Sequence, residues 1–292
     1  MSKTLPSPNP IDPHAFAKIF EPRDPAGHKG TFGSAAIVGG AASMVGAAVL
    51  AARAALKSGS GRVYVGLVNE SASFALDTHQ PELMWRSLPA LTDIASQITA
   101  WGVGCGLGDS AYGVQCIKTV LAHRAGRPLV IDADGLNALA RGDISPTWGE
   151  GPVVLTPHPA EAARLLDKDT AWVQAHREET AQTLSERFGA WVVLKGHLTL
   201  ICSPDGKLQV NHTGNVGLAT AGSGDVLTGL ATSLLAQGFE PEVAVPAAVW
   251  LHGAAADDLV TQLGGPIGMT ASELIDAIRH VRNTFSLKQA GA

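Results

Sequence analysis

One aspartate of the sequence follows a glycine-rich turn at the point where an apolar helix is predicted to begin. In the stretch TAGSGDVLTGLATSLLAQG, Gly222 and Gly224 flank a serine and lead directly to Asp225. The N-terminus of a helix has unpaired N–H groups and a partial positive charge, and glycines let an anion approach those groups closely. The turn could therefore hold a phosphate, with Asp225 as a base for a hydroxyl that attacks it. A simple helix cap is the alternative role for Asp225.

Further polar side chains follow other apolar runs that are predicted to be strands. VIDAD places Asp132 and Asp134 after one run, LTPHPAE places His158 and Glu161 after another, and LKGH places Lys195 after a third. The two aspartates could hold Mg²⁺ through water or cap a helix, and Glu161 suits a first helical turn. A lysine at the end of a buried strand indicates an anionic partner, although such a side chain can also extend to the surface.

The elements that must position these residues alternate between strands and helices. The predicted strands are 34–39, 62–68, 98–104, 127–134, 151–157, 190–196, 198–203 and 207–211. Helices are expected from Ser43 to Lys57, from near Asn69, and repeatedly between Gly224 and Phe285. The strands at 190–196 and 198–203 form a hairpin, and 207–211 adds a third strand at the sheet edge. This alternation predicts one α/β domain with a mostly parallel sheet, whose ligands gather at the carboxyl ends of the strands.

The composition limits the classes of partner. Of the 292 residues, 46% are hydrophobic and 16% are charged, and the net charge of −5 argues against nucleic acid or an acidic membrane surface. Three cysteines without a C-x-x-C pair argue against a disulfide framework and a cysteine-bound zinc. The uncharged stretch 34–52 is interpreted as strand, loop and helix. We expect a cytoplasmic protein with a proline-rich lead-in over residues 1–20 and a single domain over 21–292.

The common nucleotide-binding motifs are absent from the sequence. No G-x-x-x-x-G-K-[S/T] occurs, and VGCGLG (103–108) lacks the spacing of a dinucleotide fingerprint. That glycine cluster is either a tight turn after a strand or a place where a ligand meets the backbone. Any phosphate site must therefore be of another type.

Five stretches, in this order along the chain, together form a specific pattern: HKGTFGSAAIVGG, VIDADGLNAL, LTPHPAEAARLL, VVLKGHLTLI and NHTGNVGLATAGSGDVLTG. As a set they resemble the ADP/ATP-dependent NAD(P)H-hydrate dehydratases, a branch of the ribokinase-like superfamily. The resemblance extends from Lys29 to the last helices. It implies a three-layer sandwich, with helices on both faces of the central sheet, and a stand-alone dehydratase domain without an epimerase domain.

The resemblance also implies an activity. The S epimer of hydrated NADH or NADPH would be phosphorylated on its C6 hydroxyl and would then eliminate phosphate. ADP, cleaved to AMP and phosphate, is the expected donor, with ATP as the other possibility and Mg²⁺ as cofactor. Hydrated NAD(P)H and an adenine nucleotide are thus the implied ligands, and a homotetramer is the implied assembly.

The site residues that the resemblance implies fall into four groups. Asp225 would be the catalytic base, and Gly222 and Gly224 would form an anion hole. The others are the hydrate pocket (Ala47, Gly106, His158 and Asp225), the nucleotide contacts (Lys195, Gly196, His197, Leu198, Thr199 and Gly224) and water-mediated contacts to Mg²⁺ (Glu161 and Asp132). The sequence departs from the family pattern at Ala160, where a glycine is usual, and at Cys105, where a proline is usual. A methyl group at 160 is expected to shift that loop slightly, and a cysteine at 105 to loosen its turn.

Two other functions fit parts of the pattern. A kinase of the same superfamily, acting on the hydroxyl of a vitamin precursor, would use the same anion hole and Asp225. A non-catalytic nucleotide sensor would not need Asp225 at all. The stretches KGTFGSAAIVGG and TPHPAE favour the dehydratase over the kinase, and a sensor would not need the intact G-S-G-D.

Overall fold

The fold is built on one ten-stranded sheet. A computed structural model describes residues 7–68 and 77–290, with side chains to residue 286. The strands are β1 (Asn9–Pro10), β2 (Ser34–Gly39), β3 (Arg62–Leu67), β4 (Met84–Arg86), β5 (Ala100–Val103), β6 (Leu129–Ile131), β7 (Val153–Leu155), β8 (Trp191–Leu194), β9 (Leu200–Cys202) and β10 (Leu208–Val210). The helices are α1 (Val45–Lys57), α2 (Leu88–Thr92), α3 (Ala111–His123), α4 (Asp134–Arg141), α5 (Pro159–Leu166), α6 (Thr170–Ala175), α7 (Arg177–Phe188), α8 (Ser223–Ala236), α9 (Pro241–Leu263) and α10 (Ala271–Ala290).

The strand order is β1-β10-β9-β8-β7-β6-β5-β2-β3-β4. Neighbouring strands are parallel except where β9 pairs with β8 and β10, so the predicted parallel sheet and hairpin are confirmed. The order reverses between β2 and β5, and such a switch point opens a crevice beyond the carboxyl ends of the strands. The predicted edge position of β10 is wrong, because Pro10 of β1 pairs with Val210 outside it. A two-residue strand that contains proline has no periodicity to detect and suits only an edge.

Helices cover both faces of the sheet. Residues that alternate along a strand point to opposite faces. In β2, Ala35 and Ile37 pack in the core with α1, α8, α9 and α10, whereas Ala36 and Val38 pack in the core with the helices from α2 to α7. The predicted three-layer arrangement is therefore confirmed.

Small and apolar residues allow the helices of the first layer to pack closely. The stretch 34–52 forms β2, a loop and the start of α1, as predicted, and the α1 alanines face α8 and the sheet. Helix α9 is long and apolar enough to cross a membrane by length and composition, but 67% of its most apolar window is buried in the fold. We therefore interpret α9 as a helix of the protein core.

The described part of the predicted lead-in packs into the domain. After β1, a 3-10 helix (Pro13–Phe20) begins at Asp12, whose side chain accepts a hydrogen bond from the His14 N–H. Phe16 and Phe20 of this helix are buried against α9 and α10. The helix expected near Asn69 lies outside the described residues. Strand β4 and helix α2 were not predicted.

Candidate functional site

Asp132, the residue after β6, connects three elements. Its Oδ1 lies 2.7 Å from Lys195 Nζ, and its Oδ2 accepts a 2.8 Å hydrogen bond from Thr228 Oγ1 on α8. The predicted capping role is wrong for both aspartates: the N-cap of α4 is Ala133, and Asp134 Oδ2 instead accepts the Gly108 N–H at 2.8 Å. Ala133 has φ +48°, an uncommon conformation for alanine, which turns the chain directly into α4.

His158 and Glu161 form a capping box at the start of α5. His158 Nδ1 accepts the Ala160 N–H at 3.1 Å, and Glu161 Oε2 accepts the His158 N–H at 2.7 Å. Because Nδ1 is an acceptor, the neutral ring carries its hydrogen on Nε2, which lies 3.3 Å from Glu161 Oε1. Burial lowers the pKa of His158 and raises the pKa of Glu161. Ala160 lies within α5, and the slight shift of the loop expected from its methyl group stays a prediction.

Lys195, at the end of β8, lies between these two carboxylates. Its Nζ is 2.7 Å from Asp132 Oδ1 and 3.9 Å from Glu161 Oε2, and its side chain is 19% exposed. Burial acts to lower the pKa of Lys195, but the charges of Asp132 and Glu161 outweigh burial and raise it. The anionic partner predicted for this lysine is confirmed, and the surface alternative is wrong.

The glycine turn begins α8 beside this ion pair. Gly222 is the N-cap with φ +90°, and Asp225 lies in the first turn without serving as a cap. A Cβ on Gly224 would lie 3.3 Å from Lys195 Nζ, so this glycine leaves the lysine accessible from the turn. Burial raises the pKa of Asp225 to about 6, although a hydrogen bond with Cys105 opposes the shift. Asp225 thus has the acidity of a base that works near neutral pH.

The loops after β2 and β5 meet at the switch point of the sheet. Gly40 N–H donates to Cys105 O at 2.9 Å, and a Cβ on Gly106 would lie 2.9 Å from the Ala47 Cβ. Cys105 therefore lies in a turn whose carbonyl is bonded, with its thiol against Asp225. Two members of the predicted hydrate pocket, Ala47 and Gly106, are in contact with each other.

A cavity of about 670 Å³ opens next to Lys195 and Gly224. All six predicted nucleotide contacts line it: Lys195, Gly196, His197, Leu198, Thr199 and Gly224. Gly222, Asp225, His158, Ala47 and Gly106 are not among the residues that line it. The cavity is therefore lined by the predicted nucleotide contacts and not by the residues predicted for the hydrate pocket.

The opposite wall of the cavity comes from residues that were not predicted as contacts. It consists of residues between Asn211 and Ala219, of Ser223 and Leu227 on α8, and of α9 residues, among them His252. Asn211 is the last residue of a predicted strand, so the rule of strand ends could have identified that stretch. His252 lies within a helix and has no such signal. Burial lowers its pKa to about 4, so the ring is neutral and Nε2–H donates to Ser223 O at 2.9 Å.

The carboxylates of Asp132 and Glu161, beside Lys195, are the predicted contacts for a magnesium ion. Mg²⁺ usually keeps several waters and binds through one or two carboxylates together with substrate phosphates. Glu161 and Asp132 supply such carboxylates. In the described part of the chain no group of three or more His, Cys, Asp or Glu side chains is arranged to hold a metal by itself. An ion here would therefore depend on water and on phosphate, and the water-mediated contacts of Glu161 and Asp132 stay a prediction.

Sequence comparisons identify similar proteins over nearly the whole chain. The profile of the family described as NAD(P)H-hydrate dehydratase matches residues 35–280. The chain is 46% identical over 273 residues to the ADP-dependent (S)-NAD(P)H-hydrate dehydratase of Neisseria meningitidis. The aligned region covers 93% of this chain and 92% of that protein. It spans about half the length of the bifunctional NAD(P)H-hydrate repair enzymes that it also matches.

Solved structures agree with the fold. The ADP/ATP-dependent NAD(P)H-hydrate dehydratase of Bacillus subtilis, co-crystallized with ATP/Mg²⁺, superposes with a TM-score of 0.83 at 32% identity, covering 97% of this chain and all of that one. A ribokinase-like superfamily protein of Enterococcus faecalis gives a TM-score of 0.84 at 28% identity, covering 95% and 96% of the two chains.

Proposed function

The chain belongs to the NAD(P)H-hydrate dehydratase family, and from this premise we propose that it removes water from the S epimer of hydrated NADH or NADPH at the expense of an adenine nucleotide. The motif resemblance and the ribokinase-like fold are thereby confirmed. The observation that carries the proposal is the position of Gly224 and Lys195. They line the nucleotide-sized cavity and also border the partly buried carboxyl of Asp225.

The first chemical step is a phosphoryl transfer. Asp225 accepts the proton of the C6 hydroxyl, and the hydroxyl oxygen attacks the terminal phosphorus of the nucleotide. A C6–O–P linkage forms while the bond to the leaving nucleotide breaks. The N–H groups at the start of α8 and the ammonium of Lys195 stabilise the moving phosphoryl group. They do so because these donors are already oriented toward the negative charge on its oxygens. A base of this kind contributes about 10²–10⁴ in rate.

The second step is an elimination. Phosphate is a much better leaving group than hydroxide at neutral pH. The lone pair of the ring nitrogen expels it by breaking the C6–O bond, and the C5 proton is then lost to a base, which restores the double bond of the reduced nicotinamide. In the net reaction, the hydrate loses the elements of water, and the nucleotide loses one phosphoryl group. The two combine as free phosphate.

We also propose ADP as the donor, in line with the name of the Neisseria relative, and Mg²⁺ as the accompanying ion. Bound with the nucleotide, magnesium would neutralise phosphate charge, and Glu161 and Asp132 would orient its waters. A homotetramer in the cytoplasm is proposed from the sequence alone. A monomer mass in sedimentation equilibrium would contradict that assembly.

The direct test is recovery of reduced nicotinamide. Purified protein mixed with hydrated NADH, Mg²⁺ and either ADP or ATP should restore the absorbance and fluorescence of NADH, and the two donors should be compared side by side. Asp225→Asn should bind nucleotide as tightly as the parent while losing about 10²–10⁴ in turnover. Absence of recovery with both donors would exclude a dehydratase.

The same assay separates the dehydratase from a small-molecule kinase. A kinase would release a phosphorylated alcohol, whereas the dehydratase releases free phosphate together with NADH. Phosphate release equal to NADH formed supports the proposal. Accumulation of a phosphorylated hydrate, without NADH, would instead favour the kinase.

A further inference from the structure

The turn between β8 and β9 is held from outside the cavity by one arginine. Arg177, the first residue of α7, donates from Nη2 to Leu194 O at 3.1 Å and to Leu198 O at 3.4 Å, and from Nη1 to Lys195 O at 3.3 Å. Among the residues that the structure describes, its guanidinium forms no ion pair. Besides a longer contact of 3.5 Å from Nη1 to Gln174 Oε1, its partners are the main-chain carbonyls at the end of β8 and in the turn that follows it.

That turn has an uncommon backbone. Gly196 has φ +131° and Leu198 has φ +54°, a left-handed conformation that costs a residue with a side chain some free energy. A Cβ on Gly196 would lie 3.0 Å from Arg177 Nη1, so a side chain at this position would push the guanidinium away from the turn. A strained turn persists when its surroundings hold it, and the three bonds from Arg177 do so.

The bonds from Arg177 also determine which way the peptide groups face. The C=O and N–H of a trans peptide point in opposite directions. Because the carbonyls of Lys195 and Leu198 point to Arg177, the N–H groups of Gly196 and Thr199 point away from it. Both of these residues line the cavity. Without the guanidinium, the same peptides could rotate and present carbonyl oxygens, which repel an anion.

We propose that Arg177 is a positioning residue for the nucleotide: it holds the turn from Lys195 to Thr199 so that its N–H groups, rather than its carbonyls, face the bound ADP or ATP. The inference rests on the proposed nucleotide role of the cavity. It adds a residue on a different helix, outside the cavity lining, to those that determine nucleotide affinity.

The test is the effect of Arg177→Ala on each substrate separately. The KM and the directly measured Kd for ADP and for ATP should rise by about tenfold or more, while kcat and the KM for the hydrate change by less than about twofold. Millimolar guanidinium should restore part of the affinity, since it can replace the missing fork of donors. Arg177→Lys should show a smaller rise in Kd, because an ammonium cannot reach three carbonyls with the geometry of a guanidinium.

Arg187→Ala is the matched control. Arg187 lies on the same helix and donates to one carbonyl, that of Leu165, at 2.7 Å, away from the cavity. Its loss should leave the Kd for both nucleotides unchanged, even if it lowers the melting temperature. Should Arg177→Ala fail to fold, the Kd of Arg177→Lys decides the matter.

Two results would overturn the inference. One is a nucleotide Kd within about twofold of the parent value in a folded Arg177 variant. The other is an equal loss of affinity for nucleotide and hydrate, which would indicate a general structural role. Failure of the proposed function is distinguishable, since a parent protein that binds ADP but restores no NADH still allows the Kd comparison.

Discussion

At the scale of the residue, the environment of Asp225 decides what its carboxyl can do. In water an aspartate is too acidic to be an effective base at neutral pH. Burial in the first turn of α8 raises its pKa to about 6, and the charge of Asp132 acts in the same direction, whereas Cys105 and Lys195 oppose it. The folded protein therefore stabilises the protonated form. The same shift that makes the carboxyl a better base must reduce the stability of the fold when Asp225 ionises.

We predict opposite effects of pH on rate and on stability at this residue. Because the folded pKa lies above the unfolded value, the native state is favoured by proton binding below about pH 3.8, and this stabilisation is lost as pH rises through about 6. The unfolding free energy of Asp225→Asn minus that of the parent should thus grow by up to about 3 kcal/mol across this window. Turnover of the parent should rise over the same range. Urea denaturation at several pH values measures the first effect.

Asp205→Asn is a control of opposite sign. A hydrogen bond from Ser203 lowers the pKa of this exposed carboxyl. Its ionised form therefore favours the native state. The unfolding free energy of Asp205→Asn minus that of the parent should thus fall slightly as pH rises. A difference for Asp225→Asn that stays constant with pH would contradict the raised pKa.

The sequence was a more reliable guide to which residues are important than to the atoms that those residues contact. Strand ends marked Asp132, His158 and Lys195, and the structure brings all three together around Glu161. Their partners are set by tertiary packing: Asp132 contacts Lys195 and Thr228, residues 63 and 96 positions away. No local pattern encodes such contacts. For the same reason the capping alternative for the two aspartates was wrong.

At the scale of the element, the two glycines at the start of α8 have different tasks. Gly222 has a positive φ, and a Cβ there would lie 2.5 Å from Leu50 Cδ1. Gly224 lies inside the first helical turn, and its nearest neighbours are the polar ends of Lys195 and Asp132. Gly222 is therefore needed for its backbone conformation, and Gly224 is needed because the polar ends of Lys195 and Asp132 face it.

We therefore predict that the two alanine variants separate stability from activity. Gly222→Ala should lower the unfolding free energy by about 1–3 kcal/mol, because of backbone strain and the contact with Leu50. Gly224→Ala should be neutral or stabilising by up to about 1 kcal/mol, as alanine is favoured in a helix, yet it should reduce kcat/KM. Thermal denaturation and steady-state kinetics of both variants provide the check. Equal losses of stability would contradict the division of roles.

The elements that could be predicted are those with strong local signals. Apolar runs bounded by glycine, proline or aspartate became β2, β3 and β5 to β10, with ends within a few residues of the expected ones. The two strands that were missed, β1 and β4, have two and three residues and lack an alternating pattern. Ala133 could not be predicted either, because its positive φ arises from the crowded junction of β6 and α4.

At the scale of the whole molecule, the sheet topology assembles the site. Parallel strands bring residues from β2, β5, β6, β7 and β8 to one edge, although they are far apart in the sequence. Alternation of strands and helices predicted a parallel sheet, but the order of its strands was not predicted. The HKGTFG part of the first motif precedes β2 and so lies at the opposite edge, away from the cavity. Motif membership alone therefore did not place a residue in the site.

The lead-in supplies the last prediction, because it closes the layer formed by α9 and α10. Phe16 is 1% exposed, and its ring lies 5.8 Å from that of Trp250, whose carbonyl accepts a hydrogen bond from Thr213 in the cavity wall. Phe16→Ala should lower the unfolding free energy by about 3–5 kcal/mol, because it leaves a cavity among buried rings. Exposed Lys18→Ala, on the same 3-10 helix, is the control and should change it by less than about 0.5 kcal/mol. Saturating nucleotide should raise the melting temperature of both variants, since a ligand stabilises the state that binds it. A loss below about 1 kcal/mol for Phe16→Ala would show that the lead-in is not part of the domain core.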